Sequence, residues 1–261
     1  MTTALTLDLI LSLYYRFGDD LKRVRQYQRQ FYSEYARSDW LEQNVVWRTG
    51  RFMSRRLRLR ARKFMSLRPQ MDDVESEITY LLVREFRPEV IVEISPSAGW
   101  SSSWLLHALK DNGSGMLHSF DVIDDSMRLL PSELTHGRWE FILGDVRQML
   151  GKLPECVDYL FMDADHSSAF AQWYIEEVLP RVRSGGIVSV HDVFHTSDPC
   201  SHDEEGGVIN DWLEQHGKKF FTASPEREPM HSNAVNIERT RLGLGKDIHY
   251  SHTNSMIAFT M

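Results

Sequence analysis

Acidic and imidazole side chains recur where one predicted β-strand after another ends in the middle of this 261-residue chain. Carboxylates gathered at one edge of a sheet repel one another unless a ligand or a cation is present. Carboxylates and imidazoles also bind divalent cations and transfer protons. The pattern therefore predicts a ligand site or a metal site, and its residues are Glu93, Asp121, Asp145, Asp163, Asp165, His166, His191 and Asp192.

A short turn follows the first of these strands. The apolar run Val90–Ile94 leads into small residues through Gly99, and a helical pattern starts at Trp100. Small residues leave room for a ligand close to the backbone, and the first N–H groups of a helix have no intrahelical partner. The turn is therefore a candidate contact for a cofactor.

Regular alternation of strand and helix patterns predicts an α/β fold, with a doubly wound, mostly parallel, Rossmann-like sheet. Ligands of such sheets lie at the carboxyl ends of the strands. The predicted strands are 89–95, 116–121, 139–143, 157–162, 186–191 and 255–260, and the predicted helices are 71–86, 100–111, 124–133, 145–152 and 168–182, the last closed by Arg183–Gly186.

The first 69 residues form a predicted helical extension to a domain of residues 70–261. Gly18 is expected to end a first helix, Asp19 to cap a second that runs to Ala36, and Ser38 to cap a third. Residues 1–70 carry 15 Lys/Arg and 6 Asp/Glu, although the net charge of the chain is −7. The basic run Arg51–Lys63 raises the question of nucleic acid, but pairing with the acidic body or a second subunit is favoured.

Cysteine content and hydropathy argue against a disulfide-rich protein and against a membrane-spanning one. Cys156 and Cys200 suit reduced thiols better than a disulfide framework. The apolar run Leu5–Tyr15 is too short to span a bilayer and contains Asp8. We therefore expect a cytoplasmic protein without a membrane segment.

Asp121 ends the second strand, where an acid can accept both hydroxyls of a ribose. A nicotinamide-dependent enzyme is therefore the first alternative interpretation of this sheet. Such enzymes carry the motif G-x-G-x-x-G, whereas this turn reads Ser-Pro-Ser-Ala-Gly-Trp over residues 95–100.

The ordered motifs resemble class I S-adenosylmethionine-dependent methyltransferases. They are VEISPSAGWS, SFD, LGDV, FMDADHS and GGIVSVHDVF. Within that class they are most similar to the metal-dependent O-methyltransferases, which include catechol, caffeoyl-coenzyme A and macrolide-sugar enzymes. The likeness covers about residues 70–194 and the last strand.

The resemblance implies that the turn passes the methionine part of S-adenosylmethionine, that Asp121 binds the ribose, and that Asp145 and Val146 flank the adenine. Family members usually have glycines where this chain has Ser95 and Ser97, so a reduced cofactor affinity is expected. The implied cofactor contacts are Glu93, Ser95, Ser97, Gly99, Asp121, Asp145, Val146 and Asp163.

The resemblance also implies a metal site at Asp163, His191 and Asp192. Carboxylates suit Mg²⁺, whereas an imidazole favours Mn²⁺, Fe²⁺ or Zn²⁺. His191 is the least secure ligand, because it could instead pack or hydrogen bond nearby. His166 is the expected general base, since neutral imidazole accepts a proton at pH 7. The alternative is a helix-capping residue that orients Asp163.

Two later segments are assigned more coarsely. The polar stretch His195–Glu205 is expected to form a lid, and Ser224–Thr253 is expected to carry the acceptor site, with His231, His249 and His252. Polar lining favours a small hydroxylated acceptor such as a sugar or a glycosylated natural product.

The resulting hypothesis is an O-methyltransferase that uses S-adenosylmethionine and Mg²⁺ or another divalent cation. A binding protein that has lost catalysis and an RNA-modifying enzyme that uses Arg51–Lys63 are the alternatives. We expect a homo-oligomer with no membrane or nucleic-acid partner.

Overall fold

A computed structural model describes residues 4–41, 69, 71–194, 204–244, 247–251 and 255–261, with the backbone alone at residues 31–41. The predictions for most of a third N-terminal helix, for the run Arg51–Lys63, for most of the lid and for His252 concern residues outside these ranges.

Seven strands form one mixed sheet, which confirms the predicted fold class. Its order is β3-β2-β1-β4-β5-β7-β6; β1 to β5 are parallel to one another, and β7 runs antiparallel to β5 and β6. The strand order reverses between β1 and β4, where α/β folds bind their ligands. The strands are β1 (Val90–Ile94), β2 (Met116–Asp121), β3 (Trp139–Leu143), β4 (Val157–Met162), β5 (Val182–Val190), β6 (Phe220–Phe221) and β7 (Ile257–Thr260).

Helices cover both faces of the sheet. Successive strand residues point to opposite faces, so Ile91 and Tyr159 lie in one apolar cluster while Val92 and Leu160 lie in the other. The helices are α1 (Leu7–Leu41), α2 (Asp73–Phe86), α3 (Trp100–Asn112), α4 (Asp125–Leu129), α5 (Ser132–Thr135), α6 (Ser168–Glu177), α7 (Glu205–Gln215) and α8 (Pro229–Arg241).

Three predicted helices are shorter or absent. The helix predicted at 124–133 is divided into α4 and α5 before Pro131, because proline cannot donate within a helix. The prediction at 145–152 is wrong, since only a 3₁₀ turn at Leu150–Lys152 forms there. Arg183–Gly186 lies inside β5 and does not close α6, which ends at Glu177.

The predicted helix break at Gly18 and the predicted caps at Asp19 and Ser38 are also wrong, because α1 is continuous from Leu7 to Leu41. A Cβ atom at Gly18 would lie 2.9 Å from Cδ2 of Leu242, which follows α8. The missing side chain therefore permits close packing of two segments. It does not mark a helix end here.

Buried ion pairs attach α1 to the rest of the fold. Arg25 of α1 and Arg239 of α8 contact Asp73 and Glu77 of α2, and all four residues are at most 9% exposed. Paired buried charges satisfy one another, whereas removal of one partner leaves an uncompensated charge. Arg25 of the basic N-terminal segment thus pairs with the acidic body, whereas the pairing expected for Arg51–Lys63 concerns residues that the structure does not describe. No helix in the described ranges is both long and apolar enough to cross a membrane.

His107 of α3 makes the fold sensitive to acid. Its side chain is 4% exposed and meets the ring of Tyr27 at a centroid distance of 4.5 Å. Burial lowers the pKa of His107 from 6.5 to about 4. The unfolded chain therefore binds this proton more readily between those values, so the free energy of unfolding falls as pH drops from 6.5 toward 4.

We expect protonation of His107 in the unfolded chain to lower the free energy of unfolding by about 2 kcal/mol between pH 7.5 and pH 5. His107→Gln should flatten this part of the stability curve, as measured by denaturant unfolding at several pH values. His118→Gln, at a partly exposed histidine of β2, is the control. Equal pH slopes for His107→Gln and the unsubstituted protein would contradict the assignment.

Candidate functional site

A cavity of about 390 Å³ lies at the carboxyl ends of β1, β2, β4 and β5. It contains most of the residues that the sequence singled out, although their positions span about a hundred residues of chain. Parallel strands deliver their carboxyl ends to one edge, which explains the convergence. The lining residues are Ser95, Ser97, Asp121, Val122, Ile123, Asp163, Ala164, His166 and Asp192.

A second cavity of about 180 Å³ adjoins the first and shares four of its lining residues. Its wall includes the apolar side chains of Ile94, Phe120, Val146 and Phe170. Such a slot can accept a flat ring. Asp145 lies on its rim, where the guanidinium of Arg147 lowers the pKa of the carboxyl.

The turn after β1 is held in a left-handed backbone conformation. Ser95 and Ser97 have φ angles of 67° and 49°, values that glycine adopts with little strain. Gly99 has φ of 88°, and a Cβ atom there would lie 3.1 Å from Cγ of Leu130. Glycine is therefore required at 99, whereas the two serines keep a strained backbone.

Ser97→Gly should raise the free energy of unfolding by about 0.5–1 kcal/mol, because release of a left-handed residue outweighs the extra entropy of a glycine. Ser184→Gly is a matched control, since Ser184 lies in β5 without a positive φ, and it should be destabilising. Chemical denaturation measures both. A destabilised Ser97→Gly variant would show that the serine side chain stabilises the turn.

Asp121 links the turn to the end of β2. Its Oδ2 accepts a hydrogen bond of 2.7 Å from the backbone N–H of Ser97, and its Oδ1 accepts one from Ile123. Burial raises the pKa of this carboxyl despite these donors. The residue that the sequence assigned to ribose binding therefore lies in both cavities and also fixes the turn.

Glu93 and Gly99 lie outside the two cavity walls. Glu93 is fully buried, and its Oε2 accepts hydrogen bonds from Ser102 at 2.7 Å and Ser119 at 2.6 Å. Burial raises the pKa of Glu93. The position of this carboxylate favours support of β1, β2 and α3, and its assignment as a cofactor contact stays a prediction.

Asp163, His191 and Asp192 form a compact group of potential metal ligands. One ligand atom from each lies within 4.8 Å of the others. Nδ1 of His191 is 3.2 Å from Oδ1 of Asp163 and 3.5 Å from Oδ2 of Asp192. Adjacent ligands of an octahedral ion at 2.1 Å lie about 3 Å apart, so the three residues fit a divalent cation.

Asp192 occupies a strained backbone position with φ of 56°. Its Oδ1 accepts a hydrogen bond of 2.7 Å from the hydroxyl of Ser255, just before β7. Strain of this kind costs on the order of 1–3 kcal/mol and often occurs at functional sites. The strained position holds the carboxylate at the cavity wall beside His191.

His191 is buried between carboxylates. Its Nε2 lies 3.2 Å from Oε2 of Glu75 in α2, and an ionised carboxylate can only accept. Burial alone would lower the pKa of His191, but Asp163 and Glu75 raise it well above the usual range. In return, His191 lowers the pKa of Asp163 although burial opposes this.

His166 also pairs with a buried carboxylate. Its Nδ1 lies 2.8 Å from Oε2 of Glu205 in α7, and its Nε2 lies 3.9 Å from Oδ1 of Asp163. Burial alone would lower the pKa of His166, but the hydrogen bond to Glu205 raises it. The alternative of a capping histidine does not hold, because Ser167 caps α6. The imidazole is therefore placed by Glu205 with its second nitrogen toward Asp163.

Sequence reasoning missed Glu75 and Glu205. The sequence around Glu75 indicates the start of a helix, since Asp72 and Glu75 form the capping box of α2. This motif does not predict the contact with His191, which is 116 residues away. Glu205 lies at the end of the predicted lid and carried no signal of its own. Of the histidines predicted near the acceptor, His231 contacts the carbonyl of Thr222 and His249 contacts that of Met71; their place at an acceptor site stays a prediction.

Comparison with known proteins finds matches to the central part of the chain. A family described as methyltransferase domain matches residues 92–193. A provisionally named O-methyltransferase of Mycobacterium sp. (strain KMS) is 30% identical over 117 residues, which cover 42% of this chain and 51% of that protein. The chain therefore spans about half the length of the curated relatives it matches.

Solved structures show the same fold. A Staphylococcus aureus protein, provisionally described as a caffeoyl-CoA O-methyltransferase, superposes with a TM-score of 0.53 at 14% identity, covering 84% of this chain and 99% of that one. A Bacillus cereus O-methyltransferase in complex with SAH gives 0.50 at 17% identity, covering 78% and 88%. The match of residues 92–193 to the methyltransferase domain agrees with the resemblance to class I methyltransferases indicated by the strand-end motifs, and the two solved structures show the same fold as this chain.

Proposed function

We propose that this protein is an S-adenosylmethionine-dependent O-methyltransferase that uses a divalent cation to methylate a hydroxyl of a small polyhydroxylated acceptor. The supporting observation is a cavity that brings Asp121, Asp163, His166 and Asp192 together, with His191 buried beside Asp163 and Asp192. One reaction needs all three features: a donor site, a cation site and a proton acceptor.

The two adjoining cavities fit the two ends of the methyl donor. The slot with Phe170 and Val146 suits an adenine ring, and Asp121 can accept hydroxyl hydrogen bonds from the ribose. The turn with Ser95 and Ser97 would then border the sulfonium end of the donor. Strain in this turn is consistent with the weaker binding expected from serines in place of glycines.

Asp163, His191 and Asp192 would hold the cation. When bound, a divalent cation orients an acceptor hydroxyl and lowers its pKa, as it does for water. The three side chains are partly or fully buried, so water competes less for the site. Two carboxylates favour Mg²⁺ or Mn²⁺, and the imidazole extends the choice to softer ions.

His166 would take the proton of the acceptor hydroxyl. The oxygen attacks the donor methyl carbon, the carbon–sulfur bond breaks, and the products are a methyl ether and S-adenosylhomocysteine. The hydrogen bond of Nδ1 to Glu205 directs Nε2 toward the cluster that would hold the hydroxyl. Proton removal by a positioned base contributes about 10²–10⁴-fold to such reactions.

The lining of the larger cavity favours a hydroxyl-rich acceptor. Six of its nine residues are polar, so the cavity presents more hydrogen-bonding groups than apolar surface to a bound molecule. A flat aromatic acceptor would find little apolar surface to pack against. A sugar or a glycosylated natural product could form hydrogen bonds in such a cavity.

The test is transfer of a labelled methyl group from S-adenosylmethionine to a panel of sugars, glycosides and catechols, with Mg²⁺ or Mn²⁺ and with EDTA. We expect methyl ethers of hydroxyl-rich acceptors, lost with EDTA and restored by added cation. Turnover that survives exhaustive chelation would contradict the metal mechanism. No donor binding at millimolar concentration by calorimetry would favour the catalytically inactive alternative, and methylated RNA would favour the RNA-modifying one.

A further inference from the structure

Glu75 lies outside the matched methyltransferase segment, yet its carboxylate reaches the predicted metal cluster. Its side chain is buried in the first turn of α2. Oε2 lies 3.2 Å from Nε2 of His191 and accepts a hydrogen bond of 2.9 Å from the backbone N–H of Asp72. Oε1 accepts a hydrogen bond of 3.0 Å from the backbone N–H of Met256.

These contacts fix the carboxylate in three directions. Asp72 and Glu75 cap α2 reciprocally, and Met256 precedes β7, so the position of Glu75 is set by two separate elements. A side chain with both oxygens occupied loses little further freedom when it orients a neighbour. His191 is therefore held by a rigid partner on the side away from the cavity.

The orientation decides which ring nitrogen is available to a ligand. With Nε2–H donated to Glu75, Nδ1 points at Asp163 and Asp192, at 3.2 Å and 3.5 Å. Histidines that bind metals usually donate their second ring N–H to a carboxylate, which fixes the tautomer and increases ligand strength. The Glu75–His191 pair has this arrangement.

We propose that Glu75 is a positioning residue that presents Nδ1 of His191 to a divalent cation shared with Asp163 and Asp192. This inference rests on the proposed metal-dependent function and extends it to a helix outside the methyltransferase motifs. It also settles the ambiguity of His191, which becomes a ligand through one defined nitrogen. The competing role for Glu75 is that of a helix cap alone.

The test is a Mn²⁺ titration of the full chain without donor or acceptor, by calorimetry or electron paramagnetic resonance. Removal of such a partner weakens metal binding by about 10–100-fold. We expect Glu75→Gln, which keeps an oxygen for the cap, to weaken Mn²⁺ binding about 10-fold and Glu75→Met to weaken it about 100-fold. Glu77→Gln is the matched control: Glu77 is equally buried on the same helix but pairs with Tyr14, Arg25 and Arg239, so Mn²⁺ affinity should be unchanged.

A second readout separates positioning from stability. In the Mg²⁺-loaded protein, long-range ¹H–¹⁵N spectra should show His191 with Nε2 protonated and Nδ1 unprotonated, a signature that Glu75→Met should lose. The signal is assigned by its disappearance in His191→Gln. Helix capping alone would lower the melting temperature without changing this signature.

Outcomes distinguish this inference from the proposed function. Mn²⁺ binding that Asp163→Ala abolishes but both Glu75 variants retain would overturn the role of Glu75 and leave the metal mechanism intact. An unsubstituted protein that binds no Mn²⁺ would overturn both. Equal losses in Glu75→Gln and Glu77→Gln would show that buried charge on α2, and not orientation of His191, sets the affinity.

Discussion

Asp163→Ala should abolish methyl transfer and Mn²⁺ binding while the protein remains folded. Asp163 directly follows β4 at the centre of the sheet, lies in the larger cavity and contacts His191. A cation contributes several kcal/mol of transition-state stabilisation, which corresponds to a loss of at least about 10²–10³-fold in kcat. Turnover is measured with saturating donor and acceptor, and folding by thermal unfolding.

Asp158→Asn is the matched control for this change. Asp158 belongs to the same strand but lies near its other end, where it accepts from the backbone N–H groups of Glu89 and Val90. We expect normal kcat and normal Mn²⁺ affinity for this variant. An active Asp163→Ala protein would remove the metal mechanism, whereas an unfolded one calls for Asp163→Asn, which keeps the shape of the side chain.

The residues at the carboxyl ends of the strands could be predicted from sequence because their placement follows from a local pattern. Each of these side chains lies at the last residue of a strand pattern or within four residues after it, and parallel strands place these ends at one edge. Asp121, Asp163, His166 and Asp192 therefore come together as expected. Their roles as ligands, base and cofactor contacts stay predictions.

The supporting carboxylates could not be predicted in the same way. Glu75 and Glu205 reach the site from helices that flank the sheet, and their contacts depend on how α2 and α7 pack. Gly18 shows the same limit, because its local pattern indicates a helix end while its tertiary contact is with Leu242. Local sequence therefore predicts which residues lie at the edge of the sheet. The carboxylates that contact them from α2 and α7 depend on tertiary packing.

His166→Ala should lower kcat by at least about 10²-fold with a small change in donor affinity. Nε2 of His166 lies near the cation cluster, and Nδ1 is held by Glu205, so loss of the ring removes the proposed proton acceptor alone. The matched control is His118→Ala. His118 also pairs with a glutamate, at 2.9 Å from Glu140, but on β2 and outside both cavity walls. A fully active His166→Ala protein would reduce this histidine to a structural role.

Glu205→Gln tests whether the base depends on its buried partner. If Glu205 acts by orienting His166, then Glu205→Gln should lower kcat in the unsubstituted protein and have no further effect in the His166→Ala background. Two residues that act as a unit are non-additive in such a cycle, whereas independent residues give additive losses. Because Glu205 N–H also donates to the carbonyl of His166, the backbone link persists in the variant and keeps α7 in place. Additive losses would show that Glu205 acts through another route, such as the electrostatic field of the metal cluster, and the imidazole would then need a different partner to orient it.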